Sequence, residues 1–117
     1  MINLGEQLEL GATAEAPRVE IEDIARLERL LEGCLDWVTA AQVCVLLDQI
    51  PNDNNKRKLR AIANRSHHLI SGQKGYRYTR HATADEIHHF AAWLRTQAKE
   101  MDERAGRVLK AAHAKLG

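Results

Sequence analysis

Residues 54–84 read NNKRKLRAIANRSHHLISGQKGYRYTRHATA, a stretch with eight Lys or Arg and no Asp or Glu. Its first part carries a helical period. At about 100° per residue, Ile62 and Ala63 fall within about 60° of Leu59 and form an inward stripe. Arg57, Ala61 and Asn64 then face outward, flanked by Lys58, Arg60 and Arg65. The spacing predicts an amphipathic helix over residues 54–65 whose polar side is cationic. Beyond it, Leu69-Ile70-Ser71 and Tyr76-Arg77-Tyr78-Thr79 flank the glycine-bounded turn Gly72-Gln73-Lys74-Gly75, the pattern of a β-hairpin. Period-two alternation sets Tyr76 and Tyr78 on one face and Arg77 and Thr79 on the other, with Lys74 at the tip. Thr83-Ala84-Asp85-Glu86 then fits a capping box and opens a long helix over residues 84–115.

Working outward toward the N-terminus, Ile21, Ile24, Leu27, Leu30, Leu31 and Cys34 recur at spacings of three and four before Gly33 closes the pattern, which predicts a helix over 19–32. Thr39 offers an N-cap oxygen to a short helix over 40–48, expected to be mostly buried through Val43, Leu46 and Leu47. Pro51 and the run Asn52-Asp53-Asn54-Asn55 interrupt it, because Pro restricts its predecessor and Asn and Asp favour turns and caps. Residues 1–18 lack a sustained period and contain Gly5, Gly11 and Pro17, so they read as a mobile arm. The chain is thus expected to be mainly α with a small β-hairpin and a long C-terminal helix.

A length of 117 residues suits one compact domain, and 44% hydrophobic with 28% charged residues is the composition of an ordinary soluble globular protein. Aromatics are only 4%, so the core must be aliphatic. The net charge of +1 conceals a segregation: residues 1–53 hold eleven acids and three bases, 54–84 hold eight bases and no acid, and 85–117 hold six bases and five acids. A single charged helical face is commonly no more than a solvated one. A solvated face, however, mixes both signs, whereas this block has the footprint of a phosphate-binding surface. The apolar run Val43–Leu47 is far too short to cross a membrane. The N-terminus lacks the basic start and apolar centre of a signal peptide. Cys34 and Cys44 read as small buried hydrophobes, which makes a reducing cytoplasm the simplest compartment.

Helix, helix, turn, basic helix and glycine-turned hairpin is the element order of winged helix-turn-helix domains, and the chain resembles that family from about residue 19 to 90. The runs Thr39-Ala40-Ala41, Lys56-Arg57-Lys58-Leu59-Arg60 and Ile70-Ser71-Gly72-Gln73-Lys74-Gly75-Tyr76, followed by Thr83-Ala84-Asp85-Glu86-Ile87, look like small DNA-binding proteins of bacteriophages and prophages. The resemblance implies a winged domain over 19–83 that places helix 54–65 in the major groove of double-stranded DNA and a basic wing, residues 70–80, on the backbone. In those roles Arg57 suits guanine O6 and N7, Asn64 suits adenine N6 and N7, and Ala61 meets a thymine methyl. Lys56, Lys58, Arg60, Arg65, Lys74, Arg77 and Arg80 are the expected phosphate contacts. The turn holding Pro51 is longer than the three or four residues of simple helix-turn-helix units. The implied function is a transcriptional regulator or origin-binding factor in the cytoplasm of a bacterial or phage-infected cell.

At about 1.5 Å per residue, a 32-residue helix is roughly 48 Å long, more than a domain of this size spans. Ile87, Leu94, Met101 and Val108 recur every seven residues, with Ala91, Ala98, Ala105 and Ala112 between them, a heptad seam with alanine at one core position. The reading is homodimerisation through this C-terminal element, 84–117, suited to a two-fold DNA site with half-sites about one turn apart. The other is that the first helix folds back on the seam within one chain.

Catalytic chemistry finds little support. Glu86-x-x-His89 has the spacing used in di-iron bundles, but the other carboxylates are missing and Glu86 has a capping role. Cys34, Cys44, His67 and His68 lack zinc-finger spacing. There is no Gly-x-Ser-x-Gly and no phosphate-binding glycine loop, so neither an enzyme nor a cofactor or metal is expected. The alternative function is a phage accessory or anti-defence interaction protein that binds a larger protein machine through the acidic segment 1–53.

Overall fold

Thr39, Asn52 and Thr83 each start a helix in the computed structural model of the chain, which describes residues 16–116. The arm expected over 1–18 lies, for residues 1–15, outside the described residues. Helix α1 spans Ile21–Glu32, and the Asp23 carboxylate at its first turn accepts from the Glu20 N–H at 3.0 Å. Helix α2 spans Ala40–Leu46, where Thr39 Oγ1 accepts from the Gln42 N–H at 3.2 Å and Gln42 Oε1 accepts from the Thr39 N–H at 2.9 Å. This reciprocal box satisfies two of the donors that a helix start leaves without partners. Helix α3 spans Asp53–Ala63, capped by Asn52, whose Oδ1 accepts from the Asn55 N–H at 2.8 Å.

Helix α2 corrects the expectation of a mostly buried helix reaching Asp48. It stops at Leu46 because Asp48 turns to φ 59°, the left-handed region that ends helices, and the Gln49 N–H then reaches back to the Cys44 carbonyl at 2.8 Å. Seven residues make too few turns to bury both sides. Val43 and Cys44 are fully buried, Leu47 is half-buried, and Leu46, expected inside, is 54% exposed.

Strands β1, Leu69–Gly72, and β2, Gly75–Tyr78, pair antiparallel in the register Leu69↔Tyr78, Ile70↔Arg77, Ser71↔Tyr76 and Gly72↔Gly75. The hairpin is therefore closed by two residues, Gln73 and Lys74, rather than by the four expected, since both glycines join the ladder. A third segment joins them: Val38 pairs with Tyr76 in an isolated antiparallel bridge, with N–H to carbonyl distances of 3.0 and 2.8 Å. A single 3-10 turn, Thr79–His81, follows the hairpin.

The core is built from Leu27 and Leu31 of α1, Val38 of the segment before α2, Val43 and Cys44 of α2, Leu59, Ile62 and Ala63 of α3, and Leu69 and Tyr76 of the hairpin. Helix α1 packs on both α3 and β2, and α2 packs on α3. All three residues of the predicted inward stripe on α3 are in that core.

The chain divides into two compact units between His81 and Ala82. The second is dominated by helix α4, Ala84–Leu116, which opens with the predicted box: Thr83 Oγ1 accepts from the Glu86 N–H at 3.1 Å and Glu86 Oε1 accepts from the Thr83 N–H at 2.9 Å. His88 and His89 are both exposed. The architecture is mainly helical with a two-stranded hairpin and a long C-terminal helix. No helix among the described residues is long and apolar enough to cross a membrane.

Candidate nucleic-acid interface

Burial of Leu59, Ile62 and Ala63 fixes the rotation of α3 and leaves the opposite side to water. Arg57, Arg60, Asn64 and Arg65 are exposed, while Lys56, Lys58 and Ala61 are half-buried along the flank. Asn64 and Arg65 follow the last helical residue, because α3 stops at Ala63 rather than at 65. Ser66 holds this exit, its hydroxyl donating to Glu28 of α1 at 2.5 Å and accepting from the His68 N–H at 3.0 Å.

On the hairpin, Lys74 stands exposed at the tip beside Gln73. Arg77 and Arg80 are held differently from a surface cation reaching into solvent. Arg77 Nη2 donates to the Leu35 carbonyl at 2.9 Å, and its guanidinium lies 5.7 Å from the centre of the Trp37 ring. Arg80 Nη1 pairs with Glu32 Oε2 at 2.8 Å and lies 5.7 Å from the Tyr78 ring centre. His81 Nε2 is 2.7 Å from the Glu32 carbonyl oxygen. Together with the Val38–Tyr76 bridge, these contacts fasten the hairpin to residues 32–38, the segment that joins α1 to α2. Two of the three expected phosphate contacts in and around the hairpin thus also carry structural duty.

Arg60 has a second role as well. Burial pushes the Tyr76 phenol up from its ordinary value of 10.0, while the Arg60 guanidinium, through its charge and a hydrogen bond, pulls it back. This contact links the outward side of α3 to the middle of β2. Gly75 makes the Val38–Tyr76 bridge possible: its φ is +119°, and a Cβ there would lie 2.1 Å from the Val38 carbonyl oxygen. The structure therefore brings α3 and the hairpin into one unit with their cations retained. In the sequence Gly75 reads as a turn glycine; only its place in the ladder makes it a glycine inside a strand, which marks close approach of another backbone.

On α4, Leu94, Met101 and Val108 are 46%, 64% and 57% exposed. Ala98, Ala105 and Ala112 are exposed with them, and Ala91 is half-buried. A second apolar feature was not anticipated: Leu35, Val45 and Leu46 are all more than half exposed around a shallow depression that also includes Trp37 and Asp36. Among the described residues no group of three or more His, Cys, Asp or Glu could hold a metal ion. Cys44 is buried, and Cys34 is half-buried with its thiol donating to the Leu30 carbonyl at 3.3 Å. Comparison of the chain with protein-family models, with curated proteins and with solved structures gives no match.

Proposed function

We propose that the chain is a double-stranded DNA-binding protein of winged helix-turn-helix type, laying the outward side of α3 in the major groove and the hairpin along the backbone. The observation that carries this reading is the fate of residues 54–84. Eight cations without an acid are distributed over one helix with a buried side and a hairpin that shares its core, rather than over an irregular tail. A solvated surface has no need of a basic hairpin fastened to residues 32–38 and sharing one core with a basic helix.

In this reading Arg57, Ala61 and Asn64 meet base edges, and Lys56, Lys58, Arg65 and Lys74 are the principal phosphate contacts. Arg60, Arg77 and Arg80 position the wing and add positive field to it. The protein acts in the cytoplasm as a phage- or prophage-type transcriptional regulator or origin-binding factor, and it self-associates through α4. A second reading, an accessory or anti-defence protein directed at a larger protein machine, is favoured by the exposed Leu35, Val45 and Leu46 beside Asp36.

The test is fluorescence anisotropy with random-sequence duplex across a salt series. Binding is expected with a log–log slope of roughly −4 to −8, about 0.9 per neutralised phosphate. The variant Lys58→Ala, Arg65→Ala, Lys74→Ala, which removes three of the phosphate contacts, should flatten that slope by about 3 while keeping the wild-type circular dichroism spectrum. Absence of salt-dependent binding by the folded wild type would refute the DNA reading and leave the protein-directed one.

A further inference from the structure

We infer that α4 pairs with α4 of a second copy in antiparallel orientation, with its centre near residues 99 and 100. This rests on the self-association part of the reading above and is independent of DNA binding. Helix α4 is continuous over 33 residues. Its seam alternates a large residue with alanine: Ile87, Leu94, Met101 and Val108 hold one core position, and Ala91, Ala98, Ala105 and Ala112 hold the other. The spacing of four from each large residue to the next alanine makes the large residues position d and the alanines position a of the heptad.

Orientation follows from size. In a parallel pair each residue meets its own copy, so layers of two bulky side chains alternate with layers of two methyl groups. Helices held apart by Leu94 or Met101 would then leave voids at every alanine, which packed interiors do not tolerate. In an antiparallel pair position a meets position d of the other chain. Ile87 then faces Ala112, Ala91 faces Val108, Leu94 faces Ala105, and Ala98 faces Met101. Every layer holds one large and one small side chain, of near-equal total volume, and the axes can approach to the short end of the usual 8–10 Å range.

Charge selects the same orientation independently. The positions beside the seam are His88, Arg95, Asp102 and Leu109 on one flank (position e) and Phe90, Gln97, Arg104 and Ala111 on the other (position g). A parallel pair would bring g against the following e, giving Phe90 with Arg95, Gln97 with Asp102 and Arg104 with Leu109, none of them a pair of opposite charges. In the antiparallel register e meets e, so Arg95 of each copy faces Asp102 of the other, twice by symmetry. Arg95 and Asp102 are both exposed and available for this. The two Ala84 ends then lie 31 residues apart along the pair, about 47 Å, rather than side by side.

Two measurements test the inference together. Sedimentation equilibrium of the full chain should show a dimer whose dissociation constant rises about tenfold in Asp102→Arg, which sets Arg against Arg twice, and returns to within about threefold of wild type in Arg95→Asp, Asp102→Arg. Leu94→Cys and Ala105→Cys chains, oxidised alone and mixed, should form a disulfide-linked dimer above the wild-type background of Cys34 and Cys44 only when mixed. A monomer at all concentrations overturns the pairing, and with it the self-association reading, whatever the DNA titration shows. A dimer in which either cysteine variant cross-links alone as well as in the mixture, or in which the charge swap restores nothing, overturns the antiparallel orientation.

Discussion

Replacing Gly75 by alanine should damage this fold far more than the addition of one methyl group suggests. The new Cβ would lie 2.1 Å from the Val38 carbonyl oxygen, 2.6 Å from the Val38 carbonyl carbon and 2.8 Å from Thr39 Cα. All three are backbone atoms, so no side chain can swing away. The residue must also hold φ +119°, at a cost of roughly 1–3 kcal/mol for a non-glycine residue. Relief of the clash needs a retreat of more than about 1 Å, which carries the 3.0 and 2.8 Å hydrogen bonds between Val38 and Tyr76 out of range at about 1 kcal/mol each. The expected loss is about 3–5 kcal/mol, a large share of the stability of a small domain. Urea unfolding followed by Trp37 fluorescence, in a Trp93→Phe background, reads it directly. Gly106→Ala, followed by far-UV circular dichroism because Trp37 lies outside the unit that holds α4, is the control of opposite sign: nothing lies within 4 Å of a Cβ there, and an exposed helical glycine replaced by alanine should stabilise α4 by roughly 1 kcal/mol. A loss below about 1 kcal/mol in Gly75→Ala, with Val38 and Tyr76 amide protection unchanged, would refute the close approach on which the hairpin's attachment is argued.

Three further outcomes are expected. Asp48→Gly should raise stability by roughly 0.5–1 kcal/mol in the same urea assay, because Asp48 holds φ 59° at the end of α2 and glycine takes that conformation without a Cβ penalty. The Tyr76 phenol is raised above 10.0 in the folded protein, chiefly by burial. Its contribution to stability is therefore fully present below pH about 10 and is lost as pH rises through the folded value; Tyr76→Phe should lack this part of the alkaline decline seen by circular dichroism. In the duplex titration Lys74→Ala should reduce the salt slope by about 1, whereas Arg80→Ala should reduce it by less, since its guanidinium is paired with Glu32.

The contrast between Lys74 and Arg80 shows where the sequence ceases to be legible. Helix starts were readable because Thr39, Asn52 and Thr83 sit a fixed number of residues before donors they can satisfy, and the α3 stripe was readable because period 3.6 admits one buried side. Both are local rules. The Val38–Tyr76 bridge joins residues 38 positions apart and involves a single residue of the first segment, too short to show any alternation. Period two placed Arg77 on a face but carried no information about the Leu35 carbonyl and Trp37 waiting beneath it. Leu46 was expected inside because the stripe was extended past Leu46 to Asp48; the helix ended before that face could be covered. The candidate interface was thus recognisable as a charge, while its internal fastening was not.

The two-residue tip of the hairpin is a place where the fold is free of itself. Gln73 and Lys74 are exposed, and the backbone on which the attachment depends lies on the far side of Gly75, against Val38. Insertions between Gly72 and Gly75 would lengthen the reach of the hairpin without touching the register of the core, whereas a single inserted residue after Gly75 would turn Tyr76 out of it. The reach of this arm can therefore drift in evolution, or be set by design, independently of the helix beside it.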